Sequence, residues 1–229
     1  MKLIRLAAIA SGLALTATLV APTAAAASPS RPALLPAAKP KAVGTAKIDV
    51  DGDGRKDTVK VTRLSSTKYK VAVTTAKKKA SITITSTIRQ DWGEDNPYWG
   101  AAKLDKVKGH ELLVLTGGGD GVSIAALTWR KGKLIRQAAP KARSSKYAWY
   151  SLGTDWGHHG YRFYTKNGKR YVEQYGLFKM GTPRWEGTIV TSKWTASGWK
   201  QTKKKNVSLT DAQAGKYPGG FVGVKIVHP

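Results

Sequence analysis

The sequence predicts an all-β fold for the chain after residue 43, and three observations support this prediction. Short segments alternate apolar β-branched residues with Lys, Thr or Ser, as around Val59 and Val61, and this period of two is typical of strands that bury one face. Turn signals such as Asn167-Gly168 separate the segments at short intervals, which favours antiparallel hairpins. The sequence indicates one helix start, at Thr210-Asp211.

The composition excludes general disorder and all cysteine chemistry. The chain has 229 residues, 39 Lys and Arg against 14 Asp and Glu, and a formal net charge of +25. Hydrophobic residues make up 41% of it, which is enough apolar mass for a packed core. Because there is no cysteine, disulfides, thiol nucleophiles and zinc ribbons are excluded, and a metal would need oxygen or imidazole ligands.

Residues 1–27 have the three parts of a secretory signal peptide. Lys2 and Arg5 give a positive start, residues 6–20 form an apolar run, and Ala25-Ala26-Ala27 is typical of a cleavage site. The apolar run is shorter than the about 20 residues that a spanning helix needs. We therefore expect a secreted protein, extracellular or associated with the cell wall, and the alanine-rich composition is typical of bacteria.

A linker over residues 28–43 and one β-domain over residues 44–229 are expected after this leader. The linker holds four prolines spaced by small residues, which predicts a stiff, extended segment. These prolines are Pro29, Pro32, Pro36 and Pro40. Further strands of the domain are predicted at 111–116, 122–129, 160–165, 170–177, 185–194 and 198–207.

An internal repeat divides the predicted domain into three units. The segment Gly44-Thr45-Ala46-Lys47-Ile48-Asp49 recurs as Gly100-Ala101-Ala102-Lys103-Leu104-Asp105, and Trp99-Gly100 recurs as Trp156-Gly157. The units run over about 44–99, 100–156 and 157–229, and each has room for four antiparallel strands. This pattern predicts a β-propeller-like fold, partial or open, with about three blades. The alternative is a β-sandwich in which the matches arise by chance.

The first unit contains an aspartate-rich loop with the spacing of a calcium site. Carboxylates at positions 1, 3, 5 and 9, a glycine at position 6 and a backbone carbonyl at position 7 can surround a hard cation with six or seven oxygens. Left without a cation, these carboxylates would repel one another at short range. The alternative is an Asx-rich turn without metal. The predicted ligands are Asp49, Asp51, Asp53, the Arg55 carbonyl and Asp57.

This loop is not an EF-hand, because position 12 is Lys60 and a strand follows. Residues 48–61 instead resemble the D-x-D-x-D-G-x-x-D loop of FG-GAP and VCBS repeats, found in integrin-like β-propellers and many secreted bacterial proteins. The resemblance implies a four-stranded blade with Ca²⁺ in the loop that joins its first two strands. It also implies that the four aspartates and the Arg55 backbone oxygen are the ligands.

The corresponding stretches of the other two units are not expected to bind a cation. The second keeps Asp105 and Glu111, but it reads as two residues shorter and places Lys106 and Lys108 where carboxylates would stand. The third, over 157–163, keeps no carboxylate. We therefore expect one Ca²⁺ per chain, bound weakly, with a Kd on the order of 10⁻⁴ to 10⁻³ M.

Lysine clusters beside the predicted hairpin turns indicate attachment to a polyanion. Candidate partners are an anionic cell-wall polymer such as teichoic acid, an acidic polysaccharide, nucleic acid or an anionic membrane surface, and the alternative is solubility alone. The excess of lysine over arginine argues against sequence-specific base recognition. The clusters are Lys77-Lys78-Lys79, Lys131 with Lys133, Lys166 with Lys169 and Arg170, and Lys203-Lys204-Lys205.

Aromatic residues gather at the predicted unit junctions. Exposed, they would stack on sugar rings or insert into a partner; buried, they would fill the space between units, and repeated positions favour burial. They are Trp92, Tyr98, Trp99, Tyr147, Trp149, Tyr150 and Trp156.

Catalysis has one candidate cluster, His158-His159 beside Asp155, which could hold zinc or act as a base. No hydrolase motif completes it, since H-E-x-x-H and G-x-S-x-G are both absent from the sequence. The sequence therefore predicts a secreted, calcium-binding, non-enzymatic binding or scaffold module, and a secreted hydrolase that uses the His158/His159 region is the alternative.

Overall fold

The computed structural model describes residues 39–140, 146–181 and 183–229. The predicted signal peptide and the first part of the predicted linker, residues 28–38, lie outside the described residues. The end of that linker differs from the prediction, because the first strand already begins at Lys41. Pairing to the next strand, beginning with Lys41 opposite Arg63, extends the sheet back into the linker.

The described chain is all-β with antiparallel sheets, which confirms the predicted class, and two short helices interrupt the strands. The strands are β1 (Lys41–Ile48), β2 (Asp57–Arg63), β3 (Lys68–Thr74), β4 (Lys79–Thr85), β5 (Tyr98–Ala102), β6 (Glu111–Gly117), β7 (Gly121–Arg130), β8 (Lys133–Arg136), β9 (Trp149–Gly153), β10 (Gly157–Lys166), β11 (Lys169–Phe178), β12 (Trp185–Thr195), β13 (Gly198–Leu209) and β14 (Gly220–Val222). The helices are α1 (Ile88–Trp92) and α2 (Asp211–Ala214).

The first four strands form a separate sheet in the order β1-β2-β3-β4. The alternation seen in the sequence decides which face is buried, because Val59, Val61, Val71 and Val73 point to one side and the intervening residues are more exposed. This meander is the four-stranded unit predicted for residues 44–99.

The other two predicted units do not form blades of their own. A single ten-stranded sheet has the order β13-β12-β11-β10-β9-β7-β6-β5, with β14 added in parallel to β10 and β8 added to β7. The short strand β9 pairs with β7 on one side and with β10 on the other, so it joins both units into one ladder. The described residues form no closed barrel and no propeller, and the propeller expectation is not supported.

Two hydrophobic cores lie on the two faces of β6 and β7. Leu112 and Val114 pack against the four-stranded sheet, whereas Leu113 and Ile124 face the aromatic side chains of β9 and β10. Because strands far apart in the ladder share the second core, the long sheet bends over itself. Burial on both faces explains the continuous apolar run that follows Glu111 in β6. Face-to-face packing of two sheets is closer to the sandwich alternative than to a propeller.

The helices are short and lie at the ends of strands. A capping box between Thr210 and Gln213 begins α2, at the helix start that the sequence indicates. Within the described residues, neither helix has the length and apolar character needed to cross a membrane.

Candidate metal-binding site

The candidate site lies in the loop over residues 49–56, which connects β1 to β2. Strand pairing ends at Ile48 opposite Asp57, so the aspartates begin where the ladder ends. Asp57 is the first residue of β2 and is buried, whereas Asp53 at the tip of the loop is exposed. The sheet therefore fixes the base of the site, and the loop brings the other carboxylates towards it.

Aspartate side chains hold this loop in its conformation by accepting hydrogen bonds from its backbone amides. Asp57 Oδ2 accepts from the amide of Val50 at 2.8 Å and from that of Asp51 at 3.2 Å. Asp49 Oδ1 accepts from the Gly52 amide at 2.7 Å, and its Oδ2 accepts from the Gly54 amide at 3.1 Å. These contacts satisfy loop amides that would otherwise lack partners and direct the carboxylates towards one point.

Three of the predicted ligands meet. Ligand oxygens of Asp49, Asp51 and Asp57 all lie within 4.8 Å of one another. Asp53 is not in this group, and its Oδ1 accepts a hydrogen bond from the Arg55 amide at 2.8 Å. The participation of Asp53 and of the Arg55 carbonyl stays a prediction.

No cation of the described chain neutralises this cluster. None of the ion pairs within residues 39–140, 146–181 and 183–229 includes Asp49, Asp51, Asp53 or Asp57. The pKa of Asp57 is raised above its ordinary value. Burial is the main cause and the charges of Asp51 and Asp53 add to it, whereas two backbone hydrogen bonds act in the opposite direction. Converging carboxylate oxygens without a protein counterion are the donor set that Ca²⁺ prefers, so the residues present fit this ion.

A second loop, over residues 103–110 between β5 and β6, has the same length and repeats two of these hydrogen bonds. The Leu104 amide donates to Glu111 Oε2 at 2.9 Å, as the Val50 amide donates to Asp57. The Val107 amide donates to Asp105 Oδ1 at 2.6 Å, at the position where the Asp53 amide donates to Asp51. Asp105 therefore corresponds to Asp51, and Glu111 corresponds to Asp57.

This correspondence corrects the expected alignment, in which the second loop was two residues shorter and Asp105 matched Asp49. The first strand of each pair differs in length instead. After its irregularity in pairing, β1 continues from Gly44 to Ile48, whereas β5 continues only from Gly100 to Ala102. A comparison that starts at the glycines is therefore displaced by two residues when it reaches the loop.

In the second loop a guanidinium group lies beside the two carboxylates. Arg130 Nη2 lies 2.5 Å from Asp105 Oδ2 and 3.7 Å from Glu111 Oε1. Gln137 Nε2 donates to Asp105 Oδ2 at 2.6 Å, and the Thr128 hydroxyl donates to Glu111 Oε1 at 3.0 Å. Burial raises the pKa of Glu111 to about 7, and the charge of Asp105 adds to this shift.

The two loops are in direct contact. The backbone amide and Nδ1 of His110 both donate to the Asp49 carbonyl, at 3.0 and 2.9 Å. A Cβ atom on Gly52 would lie 2.4 Å from Lys108 Cβ, and one on Gly109 would lie 2.2 Å from the Val50 carbonyl oxygen. Glycine at these positions permits the close approach, so the second loop supports the first from one side.

The structure brings two of the predicted lysine clusters together. The hairpin turns after β3 and β7 touch, because a Cβ on Gly132 would lie 2.7 Å from Lys78 Cδ. Their lysines are exposed, and none of them is ion-paired within the described part of the chain. We call this surface the lysine turn pair; it consists of Lys77, Lys78, Lys79, Lys131 and Lys133.

The remaining basic residues are distributed differently from the prediction. Lys203, Lys204 and Lys205 lie within β13, whose residues 200–206 are all exposed, and not at a turn. Lys166 and Lys169 flank the turn between β10 and β11, as expected. Arg170 instead points inward and donates to the carbonyls of Lys103 and Leu104, both at 3.0 Å.

The two histidines of the hydrolase alternative point to opposite faces of β10, since successive side chains alternate along a strand. The ring of His158 stacks on Trp185, with 4.3 Å between centroids. The Nδ1 atom of His159 donates to the Tyr150 carbonyl at 2.8 Å on the other face. The pair therefore does not form a common site.

The junction aromatics divide between burial and exposure. Trp149 is completely buried and packs between Tyr161, Phe163 and Phe221 in the second core, as expected for a filling residue. In contrast, Trp92 and Trp156 keep 44% and 41% of their surface exposed. The tryptophans of the two Asp-Trp-Gly tripeptides are therefore not buried between units, although the repeat predicts burial.

Comparisons with protein-family models, with curated proteins and with solved structures find no match to this chain. The functional interpretation therefore depends on the residues and their geometry.

Arg130 and Gln137 are part of the charged network around Asp105, and no motif in the sequence points to them. Glu111 begins a run of apolar residues that the sequence predicts to be a strand, and a carboxylate in that setting needs a partner. The position of Glu111 therefore predicts a buried partner for its carboxylate, but the sequence does not indicate which of the many basic residues is that partner.

Proposed function

We propose that this chain is a secreted, calcium-binding β-protein that acts as a non-enzymatic binding or scaffold module for an anionic polymer at a bacterial cell surface. The observation that carries the binding role is the lysine turn pair, in which two hairpin turns distant in sequence present their lysines together, with no ion pair to an acidic residue of the described chain. Repeated phosphates or carboxylates on a flexible polymer would neutralise several of these lysines at once.

Binding through this surface is electrostatic and depends on charge density more than on ligand shape. Lysine ammonium groups are hydrated point charges on flexible stems, so they do not select one arrangement of anions. The exposed lysines of β13 form a further positive surface along an edge of the ten-stranded sheet. A cell-wall polymer or an acidic polysaccharide suits such a surface, and added salt should weaken the interaction.

Calcium has a structural role in this proposal. An ion bound by Asp49, Asp51 and Asp57 would neutralise the loop that lies against His110 and the second loop. When bound, it would supply positive charge and fixed coordination to a loop whose carboxylates otherwise repel one another. The resemblance of this loop to FG-GAP and VCBS repeats agrees with such a role.

The polyanion role is tested by binding of the protein to poly(glycerol phosphate), a polymer of the teichoic acid type, at about 50 and about 500 mM NaCl. We expect binding at low salt, and we expect at least about a tenfold loss of affinity at high salt because screening weakens each contact. The double variant Lys77→Glu/Lys79→Glu should lose most of the low-salt binding.

A matched control keeps the change in net charge the same. Lys166→Glu/Lys169→Glu alters two exposed lysines beside a different hairpin turn. Its loss of affinity should be clearly smaller than that of Lys77→Glu/Lys79→Glu. Equal losses would show that only net charge matters, and an absence of binding at low salt would refute the proposed role.

A further inference from the structure

A cleft beside α1 is a feature that the proposed function does not use. It has a volume of about 540 Å³, which lies within the range of small-molecule sites. Aromatic and aliphatic side chains form most of its lining, and a few polar groups lie among them. The residues that matter for its chemistry are Trp92, Glu94, Asn96, Tyr98, Trp99 and Ser151.

The indole of Trp92 is held in place although it is exposed. A Cβ on Gly118 would lie 2.6 Å from Trp92 Cε2, so the ring lies directly against this glycine. The neighbouring Asp91 fixes the same contact, because its Oδ2 accepts from the Gly118 amide at 2.7 Å and from the Thr87 hydroxyl at 2.7 Å. With 44% of its surface exposed, Trp92 is a positioned aromatic platform.

Trp99, the second tryptophan of the cleft, is also held in position by neighbouring side chains. The ring of Trp99 packs against Phe221 and His228, with 6.0 Å between centroids in each case. His228 Nδ1 donates to the Trp99 carbonyl at 2.9 Å. Both indoles are therefore positioned before a ligand arrives, which lowers the entropic cost of binding.

The lining selects a neutral, hydroxyl-rich ligand. Glu94 is the one charged residue of the described lining, in a chain whose formal net charge is +25. The cleft therefore offers no cation to a phosphate or carboxylate and would not bind the anionic groups of the polymer. The flat, apolar C–H face of a sugar ring matches an indole, and its hydroxyls can donate to Glu94 and bond with Asn96 and Ser151.

We propose that this cleft binds a neutral pyranose ring of a glycan, stacked on Trp92. The inference deepens the proposed binding role and rests on it for the source of the glycan, while the contacts are separate from both the lysine turn pair and the aspartate loop. The protein would then recognise two features of a cell-surface polymer, its negative charge at the lysines and an uncharged sugar at the cleft.

Calorimetric titration of the full chain with chitotetraose and with cellotetraose tests this proposal. We expect at least one of them to bind with a Kd below about 1 mM, and Trp92→Ala to raise that Kd at least about tenfold. The change from about 50 to about 500 mM NaCl should alter the Kd less than about twofold, because no ion pair is involved.

Trp156→Ala is the matched control, because Trp156 has a similar exposed fraction of 41% and is not part of the cleft lining. Its Kd should equal that of the parent. Equal loss in the two variants would overturn the proposal, as would an absence of binding by both oligosaccharides. Binding of tetramethylammonium in place of both oligosaccharides would also overturn it, since that result would indicate a cation–π cage.

The two binding experiments distinguish a failure of the cleft proposal from a failure of the proposed polyanion role. Salt-dependent binding of poly(glycerol phosphate) without binding of either oligosaccharide would refute the cleft and leave the polyanion role in place. Binding of chitotetraose without binding of poly(glycerol phosphate) would support the cleft and refute the polyanion role.

Discussion

Arg130 Nη2 lies 2.5 Å from Asp105 Oδ2, beside a loop that repeats two backbone-to-carboxylate hydrogen bonds of the aspartate loop. The positions of Asp105 and Glu111 are those of Asp51 and Asp57, yet the first loop has no arginine or lysine paired with its carboxylates among the described residues. We infer that one loop design is stabilised in two ways, by a guanidinium in the second loop and by an external cation in the first.

The first prediction concerns the guanidinium. Arg130→Met should lower the free energy of unfolding by about 3–5 kcal/mol, because it leaves the buried carboxylate of Asp105 without its cation. Chemical denaturation at neutral pH measures the change. Arg136→Met is the control, because Arg136 is exposed and has no ion pair in the described chain, and it should change stability by less than about 1 kcal/mol. Equal effects of the two substitutions would refute the role of Arg130.

The second prediction concerns pH. Burial raises the pKa of Glu111 to about 7, so the folded state binds a proton more tightly than the unfolded state, whose carboxyl keeps an ordinary pKa. Protonation therefore stabilises the fold, and this contribution is present below about pH 4.5 and is lost as the pH rises through about 7.

Thermal melting of the parent and of Glu111→Gln between about pH 5 and pH 8 tests the sign of this effect. The parent should lose on the order of 1–3 kcal/mol of stability relative to the variant as the pH rises. Because the difference between the two proteins is measured, titration of carboxyl groups that do not interact with Glu111 cancels. A constant difference, or one that changes in the opposite direction, would contradict the assignment.

The third prediction concerns the contact between the loops. Gly52 and Gly54 have φ values of +80° and +87°, so alanine is strained at both, but only a Cβ on Gly52 would collide with a neighbour, Lys108. Gly52→Ala should therefore destabilise the protein more than Gly54→Ala, by at least about 1 kcal/mol. Denaturant midpoints of the two variants measure the difference. Equal losses would mean that the loops do not press against each other in solution.

The aspartate cluster could be predicted from sequence because its members are neighbours in the chain. The spacing of Asp49, Asp51 and Asp57 places them in one loop for any hairpin that begins at this point. The opposite orientations of His158 and His159 could also be predicted, since adjacent residues on a strand face opposite sides of the sheet.

Long-range partners could not be predicted in the same way. Arg130 is one of 39 basic residues, and its pairing with Asp105 depends on how β7 aligns with β6. The failure of the propeller expectation has a similar cause, because β9 of the second unit pairs with β10 of the third, as in His158 opposite Gly153. Such register is decided by packing across the sheet and leaves no local pattern in the sequence.

The fourth prediction tests the calcium site by substitution. Asp51→Asn removes one charge from the cluster and should weaken Ca²⁺ binding at least about tenfold, because ligand charge governs the affinity of such loops. Calorimetric titration with CaCl₂ measures the change. Asp120→Asn is the control, since this exposed aspartate lies outside the cluster, and it should bind Ca²⁺ as the parent does.

Thermal melting of the full chain in about 10 mM CaCl₂ and in EGTA tests the central claim most directly. We expect Ca²⁺ to raise the melting temperature by about 5–10 °C in the parent and in Asp120→Asn, and much less in Asp51→Asn. A parent melting temperature that is the same in CaCl₂ and in EGTA would show that the aspartate loop is complete without a metal and would contradict the account.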